Sequence, residues 1–253
     1  MKLKAIKPWI FFFSLMVLIS LACSVDLYGT PTPTPPTVEP SALPEQAVAE
    51  AEPTASAQQF YTEEFDTEDN NWEYHIVNGS NEQIVKGSTG SMSMRTVGGL
   101  LVFDLQNQGT SAYAAYEPFT YTDVRLDVKA GNRGTNNNNL SLMCRKSDAG
   151  WYEFDIASNG LYEIFFAKTV DTAVEYTRIA EGGSNKIKTG WAENEYGIVC
   201  QGSTLVLNIN GTEARRLEDK KYLLPEGKVG ISVSSVKDAP VIVDFFWVSI
   251  SQP

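Results

Sequence analysis

Residues 150 to 166 read GWYEFDIASNGLYEIFF, placing Glu153, Asp155 and Glu163 among aromatic and aliphatic side chains on either side of Ser158-Asn159-Gly160. Carboxylates so close together suit three kinds of chemistry: accepting hydrogen bonds from sugar hydroxyls, holding a hard cation, or moving a proton. If Ser158-Asn159-Gly160 form a three-residue hairpin loop, Gly160 takes the left-handed position that follows a type I turn. Tyr152, Phe154 and Ile156 then pair with Phe166, Ile164 and Tyr162 on one apolar face. The opposite face carries Trp151, Glu153, Asp155, Leu161, Glu163 and Phe165. A two-residue loop would mix acidic and apolar groups on both faces, so the pattern itself selects the three-residue register.

In that register Asp155 faces Glu163, a like-charge pair that costs a few tenths of a kcal/mol, roughly, unless it is neutralised. Arg145 or Arg178 from a flanking strand can supply the opposite charge. One reading is a solvated outer face with a compensating arginine. Another is a sugar platform in which Trp151 and Phe165 flank Glu153, Asp155, Glu163 and Arg178, because a pyranose is apolar on its ring face and polar at its edges. The third is catalysis by Glu153 with Asp155 or Glu163.

Other constellations are sparser. Asp66, Asp69 and Asn70, with Asp244 near the end of the chain, offer oxygen ligands to Ca²⁺ as a weak alternative to a protein without cofactor. His75 is the only histidine and no C-x-x-C occurs, which argues against a zinc site. His75 is expected on a strand or surface without a chemical role. The Asn136–Asn139 stretch reads as a polar loop, and the sequons at Asn78, Asn139 and Asn210 carry no expectation.

The elements that must position these residues are short strands. Apolar side chains recur at every second position in Leu101, Phe103, Leu105; Val124, Leu126, Val128; Leu205, Leu207, Ile209; and Val229, Ile231, Val233. Asn210-Gly211 is the sequence's strongest hairpin signal. About twelve strands, no convincing amphipathic helix and no internal repeat indicate an all-β antiparallel sandwich over residues 60–253. Cys144 and Cys200 read as one disulfide in an exported domain, with two buried free thiols as the alternative.

The first residues are basic through Lys2, Lys4 and Lys7, and Trp9 to Ala22 is almost wholly apolar, too short to span a bilayer comfortably but suited to a signal peptide. Ile19-Ser20-Leu21-Ala22-Cys23 resembles a bacterial lipobox, with serine where leucine is usual. That resemblance implies a signal peptide over 1–22, lipidation at Cys23 and attachment to the outer face of a bacterial cell membrane. Residues 23–59 contain TPTPTPPTVEP and no lysine or arginine, and they are expected to form an extended, disordered tether. The chain's net charge of −11 argues against nucleic acid as a partner and against an electrostatic grip on anionic lipid, leaving the anchor as the only membrane contact.

EEFDTEDNNW, LSLMCRKSDAGWYEFDIASNGLYEI, NEYGIVCQGSTLVLNINGT, EGKVGISV and VIVDFFWVSI, in this order, resemble the concanavalin A-like lectin/glucanase superfamily. The likeness is strongest to laminin G-like modules and to the 3-keto-disaccharide hydrolase domain. It covers nearly all of residues 60–253 and implies a jelly-roll of two curved sheets. Many glucanases of that superfamily carry E-x-D-x-x-E on one strand, two carboxyls about 5 Å apart serving a retaining mechanism. Here Glu153 and Asp155 match the first two positions and Ser158 stands where the acid/base belongs, so the motif is broken at the group that protonates the leaving oxygen. The expectation is therefore a lipid-anchored extracytoplasmic binding module for carbohydrate. A glycoside hydrolase using Glu153, and a structural domain binding a surface protein, stand as alternatives.

Overall fold

The computed structural model describes residues 57–253 apart from 79–80, 85–87, 90–91, 137 and 172. Cys23, the expected signal peptide and nearly all of the expected tether lie outside the described residues. Among those described there are strands and turns but no helix. The strands are β1 (Tyr61–Glu63), β2 (Trp72–Asn78), β3 (Asn81–Ile84), β4 (Ser88–Thr89), β5 (Met92–Thr96), β6 (Leu101–Leu105), β7 (Thr110–Tyr121), β8 (Val124–Asn132) and β9 (Asn139–Ser147). They continue as β10 (Gly150–Ala157), β11 (Leu161–Val170), β12 (Ala173–Gly183), β13 (Glu193–Gln201), β14 (Thr204–Ile209), β15 (Thr212–Glu218), β16 (Gly227–Ser235) and β17 (Val241–Ser251).

Two antiparallel sheets result. The back sheet runs β15-β14-β13-β8-β17-β6-β5-β4, with β1 sharing the β6 edge of β17. The front sheet runs β12-β11-β10-β9-β16-β7-β2-β3. The alternating residues of the sequence become the layer between them: Leu101, Phe103 and Leu105, Val124, Leu126 and Val128, Leu205, Leu207 and Ile209, and Val229, Ile231 and Val233 are all fully buried. Tyr152, Phe154 and Ile156 join this core from the front sheet. Each large apolar side chain so buried contributes about 1.5–3 kcal/mol. Cys144 of β9 and Cys200 of β13 are disulfide-bonded, with Cα atoms 6.6 Å apart, and so tie the front sheet to the back sheet through the core.

The turns are those the sequence calls for. Asn210 and Gly211 both have positive φ, 48° and 75°, as a two-residue type I′ turn requires. Gly160, with φ 98°, closes the β10–β11 loop, and its N–H donates to Ala157 O at 3.0 Å. The expectation of about twelve strands undercounts because β1, β3 and β4 are too short to show an alternating pattern.

The front sheet positions the functional face. It curls until its two edge strands, β3 and β12, approach within 8 Å. The side away from the main core is thereby a trough partly roofed by β12.

Candidate functional site

The β10–β11 register is the one the acidic pattern selects: Asp155 opposite Glu163, Glu153 opposite Phe165, Trp151 opposite Ala167. Following Asp155 across the front sheet gives a row of outward-facing residues. Glu181 and Glu163 lie on one side of it, and Ser141, Ser232, Tyr113 and His75 on the other.

The middle of the trough is filled. Val77, Tyr113, Met143, Trp151 and Ala167 form a second buried cluster, with Val174 of β12 packed on it. The hydroxyls of Tyr113 and Tyr176 hydrogen-bond across the trough, and the Phe165 ring meets Tyr176 edge-on at 5.8 Å. Trp151 is only 2% exposed, so it does not present the open stacking face expected of a sugar platform. Its indole Nε1 donates instead to Glu153 Oε2 at 2.7 Å. The reason is the roof: period-two alternation placed Trp151 away from the main core, but β12 folds over that side.

Glu153 is 1% exposed and also receives the Tyr113 hydroxyl at 3.4 Å. Burial, and then the neighbouring Asp155 charge, push its carboxyl well above the usual carboxylate range. Burial pushes Asp155 up to about 6, and the charge of Glu163 adds to the rise. Neither carboxyl is therefore part of a solvated outer face. Asp155 Oδ2 accepts from Asn139 Nδ2 at 3.2 Å. Asp155 Oδ1, Ser141 Oγ and Ser232 Oγ are buried, and hydrogen bonding from Ser141, Glu153 and Asn139 opposes the rise in the Asp155 pKa.

Beside this row the trough opens. A cleft of about 500 Å³ is lined by Asn139, Asp155, Asn159, Leu161, Glu163, Arg178, Glu181, Val236 and Lys237, among others. Leu161 and Val236 are more than half exposed at its mouth. Arg178 is the compensating cation for Glu163, at 2.5 Å, and it also reaches Glu181 at 2.7 Å. Beyond the plug, on the other side of Trp151, lies a separate depression lined by Glu73, Lys146, Trp151 and Lys228.

Arg145 plays no part here. A bulge in β10–β9 pairing and another in β16–β9 pairing flank it, its φ is 57°, and its guanidinium donates to Thr122 O and Leu224 O. That irregularity turns it out of the alternation from which a compensating role was expected. Ser158 donates to Asn138 Oδ1 at 2.8 Å in the turn, away from the strand position an acid/base would need. The calcium set does not assemble: Asp244 is held by Arg133 through two hydrogen bonds, Asp69 accepts from Tyr61 and from the Asn71 N–H, and Asp66 is exposed. Among the described residues no three His, Cys, Asp or Glu side chains gather to hold a metal. His75 is buried, stacked on Tyr113 at 4.7 Å, and burial lowers its pKa to about 3, so it stays neutral.

The contributions of Tyr113, Asn139, Ser141, Tyr176 and Glu181 escaped the sequence reading. Each sits on a strand outside the hairpin, and only the order of strands in the folded sheet places them around Asp155.

No protein-family model and no curated protein matches the chain. Solved structures do. LamAcat from Zobellia galactanivorans superposes with a TM-score of 0.52 at 11% identity, covering 76% of this chain and 96% of its own. A glycoside hydrolase family 16 endo-glucanase from Bacteroides ovatus gives 0.54 at 11% identity over 76% and 99%. Bacillus licheniformis β-glucanase gives 0.52 at 12% identity over 78% and 100%. The domain thus has the concanavalin A-like jelly-roll fold that these proteins share.

Proposed function

We propose that the domain is a non-catalytic carbohydrate-binding module, carried on the outer face of a bacterial membrane by a lipidated Cys23 and its proline-rich tether. Its ligand site is the cleft between Asp155, Glu163 and Val236. The observation that carries this reading is the cleft itself, in which the carboxyls of Asp155 and Glu163 stand beside exposed apolar side chains. Such a mixture of polar edges and apolar surface suits a sugar. Asn139, Asn159 and Arg178 supply further polar contacts, while Leu161 and Val236 offer the apolar surface a pyranose face needs. That neighbours of the same fold are named as glucanases agrees with a sugar ligand.

Binding is favoured over hydrolysis because Glu153, the residue at the nucleophile position of the motif, is enclosed. A carboxyl sealed from substrate cannot attack an anomeric carbon. The site also needs no cofactor in this reading. The test is a glycan-array screen with and without Ca²⁺, followed by calorimetry. Expected are binding unaffected by chelator, and its loss by about tenfold or more in Asp155→Asn and Arg178→Ala. Turnover of a β-glucan that Glu153→Gln abolishes would replace this reading with a hydrolase.

A further inference from the structure

From the shape of the front sheet we infer that the cleft is blind and receives the end of a glycan chain, not an internal segment. This rests on the cleft being the carbohydrate site. β7 and β12 are separated by five strand-to-strand steps in the sheet order, roughly 24 Å along a flat sheet at about 4.8 Å per step. Yet Tyr113 and Tyr176, one from each, touch through their hydroxyls. Two tyrosine side chains reach only part of that distance, so the curl of the sheet supplies the rest and the trough is bridged at this level.

Below the bridge the described side chains close the trough. Tyr113, Met143 and Ala167 are fully buried, Trp151 and Glu153 nearly so, and Val174 closes over them. The cleft beside Asp155 and the depression beside Lys146 are separate openings on either side of this plug. A polysaccharide running along the trough would need both as one groove. A terminal sugar needs only the first. It enters past Leu161 and Val236 and stops against Asp155 and Asn139, which line the cleft. The buried hydroxyls of Ser141 and Ser232 follow Asp155 along the same row of the sheet.

The full chain, solubilised in detergent, is applied to an array carrying each oligosaccharide in matched forms, with both ends free and with either end capped as a methyl ether or glycoside. The strongest chain is then titrated calorimetrically at increasing lengths. Expected are a loss of about tenfold or more on capping one end, and a number of proteins bound per chain that does not change with length. Protein bound per chain that climbs with length, or indifference to both caps while Arg178→Ala still abolishes binding, overturns the chain-end inference and leaves the cleft as a sugar site. Absence of binding to any free-ended glycan overturns the carbohydrate reading and this inference with it.

Discussion

The hydroxyls of Tyr113 and Tyr176 meet across the front-sheet trough, one fully buried and the other 41% exposed on the roof strand β12. Tyr113 also reaches Glu153, which keeps its bond from the Trp151 indole when that contact is lost. Removing the Tyr113 hydroxyl leaves Tyr176 able to turn to water and Glu153 still partnered. Tyr113→Phe is therefore expected to cost about 1 kcal/mol, the net worth of a hydrogen bond whose partners are not stranded. The reading is a lower denaturation midpoint with unchanged slope. An unchanged midpoint would show that the bridge contributes nothing in solution.

The Glu153–Asp155 pair sets a pH dependence. The folded protein raises Asp155 from an ordinary 3.8 to about 6 and Glu153 in the same direction. Between these values the unfolded chain has already released protons that the folded chain retains. The unfolded state then binds fewer, and this pair's contribution to stability falls as pH rises through that window. In Asp155→Asn the ionisation is gone. The difference in Tm between variant and wild type should therefore be small near pH 4 and widen in the variant's favour above pH 6. A difference that narrows with rising pH would mean that Asp155 is stabilised as the carboxylate.

The Cys144–Cys200 bridge closes a loop of 56 residues between the two sheets. The chain-entropy relation gives about 4 kcal/mol for a loop of that length. Replacing both cysteines with alanine should lower the unfolding free energy by about that amount. Two alkylatable thiols in the unreduced, denatured wild type would show the bridge is not formed.

Anchoring is read at Cys23. Cells fed labelled fatty acid should incorporate it into the wild-type chain and not into Cys23→Ala, and the wild type should partition into detergent. Equal labelling of the two would remove the lipoprotein assignment.

Much of this domain could be read before it was folded. Period-two alternation in Leu101–Leu105, Val124–Val128 and Leu205–Ile209 named the core strands, because a half-buried sheet leaves that pattern whichever strands it pairs with. The 150–166 stretch set its own hairpin register, since a slip by one residue would have turned Glu153 and Asp155 into the main core. Asn210-Gly211 announced its turn through a backbone conformation few other pairs adopt. What the sequence left open is what covers a face once side chains are assigned to it. Alternation put Trp151, Glu153 and Asp155 away from the core, but local pattern carries no information on the curl of a whole sheet. Only the tertiary structure brings Val174 and Tyr176 over Trp151, turns Arg145 away at a bulge, and aligns Ser232, Ser141, Asp155 and Glu163 in one row. Those contacts join residues on separate strands, and they make the hairpin's outer face a plug with one opening beside Asp155 and another beside Lys146.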